Sequence, residues 1–148
     1  MNLYFLVTFG DNVEDFLGRS RYLALIAVAT LFGAILHTLP DPQSAVPVIG
    51  ASGGISGILA YYTLAFPRSR VGLTHFWYFL YSGGRWVCLP VWVIFAGWLI
   101  LQFVGVWQQL AGWSNVSALA HLGGVAAGFL LWIVWRNNAE TAADSQNR

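Results

Sequence analysis

The sequence contains no lysine, one cysteine and few charges of either sign. Charged residues make up 9% of its 148 positions. A soluble domain carries about 25%, so a water-facing surface could hardly be built from this chain. The basic residues are all arginine, and seven of them against six acidic residues leave a net charge of +1. No basic patch can grip a phosphate backbone, which excludes a nucleic-acid partner. Cys88 alone cannot close an internal disulfide, so a secreted disulfide scaffold is excluded as well. What is present is apolar: 57% hydrophobic residues, with eight Trp, ten Phe and six Tyr. That content rules out a disordered chain, and such aromatics gather at membrane interfaces. The sequence describes an integral membrane protein whose surroundings are a lipid bilayer.

Crossing a bilayer as a helix takes about 20 apolar residues. Four stretches qualify, roughly Tyr22–Leu39, Val48–Phe66, Val87–Val106 and Val116–Trp135, and none contains Asp, Glu, Lys or Arg. They are continuous apolar runs without the alternation of barrel strands, so a β-barrel is disfavoured. The stretch Met1–Gly10 is about half a span, ended by Asp11, Glu14 and Asp15. The aromatic segment Val71–Tyr81 is expected to lie along the interface. The expected fold is an all-α membrane bundle of four full spans and a partial N-terminal one. It occupies residues 1–136, with a polar cytoplasmic tail over residues 137–148.

If the four spans alternate direction, Arg19, Arg21, Arg68, Arg70, Arg85, Arg136 and Arg148 all fall on one side. The opposite connections, about Pro40–Pro47 and Trp107–Asn115, contain no arginine. Positive residues stay cytoplasmic, which places the C-terminus inside and makes the chain a multi-pass protein of the cell membrane.

Two spans then run from outside to inside, each with a small-residue motif near its outer start. The first carries Gly50-Ala51-Ser52-Gly53-Gly54-Ile55-Ser56-Gly57, and the second Ala120-His121-Leu122-Gly123-Gly124 followed by Gly128. Ser52 and His121 are expected four or five residues into their spans, roughly 6–8 Å below the outer boundary. Gly53 with Gly57, and Gly124 with Gly128, are i, i+4 pairs that allow close helix approach. His121 shares a face with Gly124 and Gly128. Packing those faces together would bring Ser52 and His121 to one depth, which a serine nucleophile activated by a general base requires. A small residue in a membrane helix is an ordinary packing device, whereas an intramembrane histidine is costly and usually functional. A soluble nucleophile elbow does not fit, because no strand precedes Ser52 and no acidic third member is available.

These motifs resemble the rhomboid family of intramembrane serine proteases. The likeness is carried by Gly50-Ala51-Ser52-Gly53 and Ala120-His121-Leu122-Gly123-Gly124-Val125-Ala126-Ala127-Gly128. It extends to Phe9-Gly10-Asp11-Asn12-Val13-Glu14-Asp15 with Leu17-Gly18, and Val46-Pro47 and Phe66-Pro67-Arg68 fit a prokaryotic branch. The resemblance implies that Ser52 is the nucleophile and His121 the base of a dyad without metal or cofactor. It implies membrane-spanning segments of other proteins as substrates, cut near the outer face. The oxyanion would be held by Asn2, the Ser52 backbone and the backbone around Gly50. The family's first helix, and a His four residues before Asn2, would lie before Met1. Losing an oxyanion donor can cost roughly 10²–10³ in rate, so a form with that helix is expected to be more stable and more active. Some rhomboids also carry a Tyr four residues after the nucleophile, packed on the histidine, where this chain has Ser56.

His37, His75 and His121 show no metal-ligand spacing. Ser56 reads as a helix-contact hydroxyl, with a bond to His121 as the alternative. Gln102, Gln108 and Gln109 read as a polar helix end, or as the lining of a vestibule. The alternative to a peptidase is a non-catalytic rhomboid-like protein that binds transmembrane segments, or an inactive truncated fragment. The pair Ser52 and His121 favours the peptidase, because a pure binder needs neither side chain.

Overall fold

The computed structural model describes residues 2–43, 51–73, 87–114 and 116–146. Three helices in it are long and apolar enough to cross a membrane, at Arg19–Thr38, Val91–Leu110 and Ala118–Arg136. The chain opens with α1 (Asn2–Phe5), a π-helical stretch (Leu6–Gly10) and α2 (Asp11–Leu17). Gly18, at φ 74°, ends α2 and donates its N–H to the Glu14 carbonyl at 2.8 Å. Glycine takes this left-handed conformation without steric cost, so the chain reverses there directly into α3 (Arg19–Thr38). Next come α4 (Ser52–Ala65), β1 (Arg70–Leu73), β2 (Val87–Pro90), α5 (Val91–Leu110) and α6 (Ala118–Gln146).

The second expected span is the one that changes most. Its described helix, α4, has 14 residues and begins at Ser52 itself, not several residues earlier; residues 44–50 lie outside the described residues. At 1.5 Å per residue it reaches about 21 Å. It sits at the centre of the bundle, with Ser56 to Thr63 all buried. The third span starts at Val91, because Val87–Pro90 form a strand antiparallel to Arg70–Leu73, with Val71 opposite Leu89. Val71–Leu73 of the expected interfacial segment belong to this two-stranded ribbon; the rest of that segment, with His75, and Arg85 beyond it, lie outside the described residues. Helix α6 starts at Ala118 and runs on to Gln146, through the expected start of the tail at 136.

Glycine sets the packing of α3, α4 and α6. A Cβ at Gly57 would overlap Ala29, one at Gly124 the Gly53 carbonyl oxygen, and one at Gly128 the Gly57 carbonyl oxygen. A Cβ at Gly33 would lie 2.7 Å from the Ala120 carbonyl oxygen. Backbones this close exclude any side chain at the crossing, as small-residue interfaces in membranes do. The contacts also give direction. Along α4 from Gly53 to Gly57 the partners on α6 advance from Ala120 to Gly124 and Gly128, so these helices are parallel. The partners on α3 recede from Gly33 to Ala29, so α3 is antiparallel to both. The start of α3 and the ends of α4 and α6 therefore share one end of the bundle, with Arg19, Arg21, Arg68 and Arg136. An aromatic cluster fills that end: Phe9 lies 5.0 Å from Tyr62, Tyr62 4.9 Å from Phe66 and Tyr61 5.9 Å from Trp135. Leu31, Ile35, Ile100, Phe103 and Ile133 stay exposed on the outer helices, the disposition expected of lipid-facing residues.

Candidate active site

Ser52 is the first residue of α4, capped by Ala51. The first-turn N–H groups of a helix have no partner within it and favour anions, so the Ser52 amide is placed where an oxyanion donor is useful. One turn on, the Ser56 hydroxyl donates to the Ser52 carbonyl at 2.7 Å. Ser56 is buried and its hydroxyl is satisfied within its own helix, not by His121.

His121 is the fourth residue of α6. The parallel packing of α4 and α6 places it beside the start of α4, and Ser52 and His121 line one cavity of about 350 Å³. Asn2, at the start of α1, and Ser56 complete the polar wall, while Phe5, Leu59, Trp98 and Val116 form the apolar wall. The cavity thus joins α1, α4, α5 and the approach to α6. Gly53, Gly57, Gly124 and Gly128 stand behind it in the α4–α6 crossing and are not part of its lining. Gly50 lies outside the described residues.

Sequence reasoning did not assign to His121 its two neighbours on α5: it left Trp98 aside and read Gln102 as a polar helix end or vestibule lining. The His121 Nδ1 is 2.7 Å from the Oε1 of Gln102, and its ring centroid lies 6.0 Å from that of Trp98 at an interplanar angle of 39°. The aromatic companion that the family pattern would put at position 56 comes here from another helix. Gln102 is no helix end, since α5 continues for two turns beyond it to Leu110. The signal available in the sequence was its isolation: a lone amide within a charge-free run must find a partner inside the bundle.

Gln109 and His37 serve the opposite end of the bundle from the arginines. The Ser117 hydroxyl lies 2.6 Å from His37 Nδ1, and its oxygen accepts the Ala120 N–H at 3.1 Å. The Gln109 Oε1 accepts the Leu119 N–H at 3.2 Å. These bonds cap α6 and tie it to α3 and α5 just beyond the cavity.

Fold and cavity together define a polytopic helical membrane protein with a serine and a histidine at one site. A family model described as the Rhomboid domain matches residues 1–138. The chain belongs to the rhomboid family. It is similar to the Presenilin-associated rhomboid-like protein A, mitochondrial, of Danio rerio, with 28% identity over 92% of this chain and 34% of that protein. Rhomboid protein 1, mitochondrial, of Saccharomyces cerevisiae is 29% identical over 88% of this chain and 35% of its own length. The Bacillus subtilis protein YdcA is 27% identical over 83% of this chain and 52% of its own. The chain thus spans about a third of the length of the first two relatives and about half of the third. No solved structure matches it.

Proposed function

We propose that the chain is an intramembrane serine endopeptidase that cleaves membrane-spanning segments of other proteins with a Ser52–His121 dyad. The observation that carries this reading is the shared cavity, whose lining combines a hydroxyl, an imidazole and a carboxamide with apolar side chains. The Ser52 Oγ attacks the scissile carbonyl carbon while His121 takes its proton. The resulting oxyanion is held by the Asn2 side-chain amide and the Ser52 N–H. Collapse of this tetrahedral species releases the amine product, which receives the proton from His121, and leaves an acyl ester on Ser52. Water, deprotonated by the same imidazole, hydrolyses the ester and regenerates the hydroxyl. The apolar wall of Phe5, Leu59, Trp98 and Val116 suits a substrate that arrives from lipid. The arginines clustered at the far end support an orientation with the cavity toward the outer face of the cell membrane and the C-terminus in the cytoplasm.

A fluorophosphonate probe tests the chemistry directly. It is expected to label the detergent-solubilised protein at Ser52. Ser52→Ala should abolish labelling, and His121→Ala should suppress it while the protein keeps its helical content. Labelling that persists in Ser52→Ala would remove Ser52 from the nucleophile's role.

A further inference from the structure

A serine activated by histidine needs the imidazole in one tautomer, with the proton on the nitrogen facing away from the serine. An acidic residue commonly fixes that tautomer, and among the described residues no carboxylate lines this cavity. We propose that Gln102 performs this task, as a positioning residue that holds the proton on His121 Nδ1 and leaves Nε2 free to act as the base. The inference rests on the reading of Ser52 and His121 as the catalytic pair.

The hydrogen bonds decide the assignment in sequence. A glutamine amide can present either its oxygen or its nitrogen to a partner. Here the Gln102 Nε2 donates to the Trp98 carbonyl at 3.1 Å, one turn back along α5. That bond fixes the amide and turns Oε1 toward His121, 2.7 Å from Nδ1. An amide oxygen only accepts, so Nδ1 carries the hydrogen and Nε2 bears the lone pair.

The location of Gln102 supports a positioning role. The amide side chain sits on the same face of α5 as Trp98, whose ring flanks the imidazole, so position and proton of His121 are both set from α5. In the catalytic cycle the imidazole becomes imidazolium when it takes the Ser52 proton. The Gln102 oxygen then accepts a charge-assisted hydrogen bond, which is stronger than the neutral one in the resting state. Stabilisation that grows as charge develops acts on the rate of the chemical step and not on substrate binding.

The test uses ¹⁵N-histidine-labelled protein in detergent micelles, with the His121 resonances identified by their loss in His121→Ala. Ring proton–nitrogen correlations distinguish the two tautomers directly. The unsubstituted protein should show the Nδ1–H form. Gln102→Met, close in volume and without an acceptor amide, should lose that form, and its rate of fluorophosphonate labelling should fall roughly ten-fold, about what one neutral hydrogen bond is worth. Gln102→Glu keeps an acceptor at the same place and should restore the Nδ1–H signature and most of the rate. A merely structural glutamine would leave the tautomer unchanged in Gln102→Met. That result, with labelling still lost in Ser52→Ala and His121→Ala, would overturn the positioning role alone. Labelling that survives Ser52→Ala would overturn the dyad, whatever Gln102 does.

Discussion

A methyl group at position 124 would have to occupy the space of the Gly53 carbonyl oxygen. The obstacle is backbone on a neighbouring helix, which no rotamer change can move aside. Gly124→Ala should therefore cost roughly 1–3 kcal/mol, as overpacking typically does, measured as a lowered unfolding midpoint in detergent. Gly97 is the matched control. It lies within α5, and nothing stands within 4 Å of where its Cβ would go. Gly97→Ala should be neutral, or stabilise by up to about 1 kcal/mol through helix propensity alone. Glycines at 53, 57, 124 and 128 can be recognised in the sequence because their i, i+4 spacing repeats in two runs. For Gln102 the sequence offers only its isolation in an apolar run, which signals a buried partner without naming it, since one polar residue has no periodicity and its partner is 19 positions away.

At the scale of elements, the N-terminal helical segment is held by its aromatic residues. Phe9 is 2% exposed and packs edge-on against Tyr62 of α4. Truncating a buried phenylalanine typically costs 3–5 kcal/mol, and here the loss falls on the contact that seats α1 beside the cavity. Phe9→Ala should lower stability by about that amount and slow probe labelling, because Asn2 and Phe5 stand on the same segment. Hydropathy located α3 and α5 to within about four residues and the start of α6 to within two, since a charge-free run in a bilayer has little alternative to a helix. It did not mark the start of α4 at Ser52, because Ala51 and the residues that follow are alike small. It missed the β1–β2 ribbon for a related reason. Arg70–Leu73 and Val87–Pro90 show no alternation of their own, and their pairing is a long-range event that includes the bond from the Arg70 guanidinium to the Cys88 carbonyl at 2.9 Å.

For the molecule as a whole, the parallel course of α4 and α6 gathers Arg19, Arg21, Arg68 and Arg136 at one end and leaves the cavity nearer the other. Arg136 sits over the Trp132 ring at 4.8 Å, an arrangement suited to a membrane boundary. A fluorescent-protein fusion after residue 148 should glow, and an alkaline phosphatase fusion at the same position should stay inactive. The reverse pattern would invert the orientation and move the cavity to the cytoplasmic side. The proposed hydrolysis, at the cavity, raises a different problem, the supply of water. Hydrolysis consumes one water molecule per bond, and the hydrocarbon core of a bilayer, about 30 Å thick, offers almost none. On the proposed reading, that water must reach Ser52. The cavity of about 350 Å³ that Ser52 and His121 line is the room in which such a reaction would be wetted inside a membrane, while Leu31, Phe103 and Ile133 on the surrounding helices stay exposed, as lipid-facing residues do.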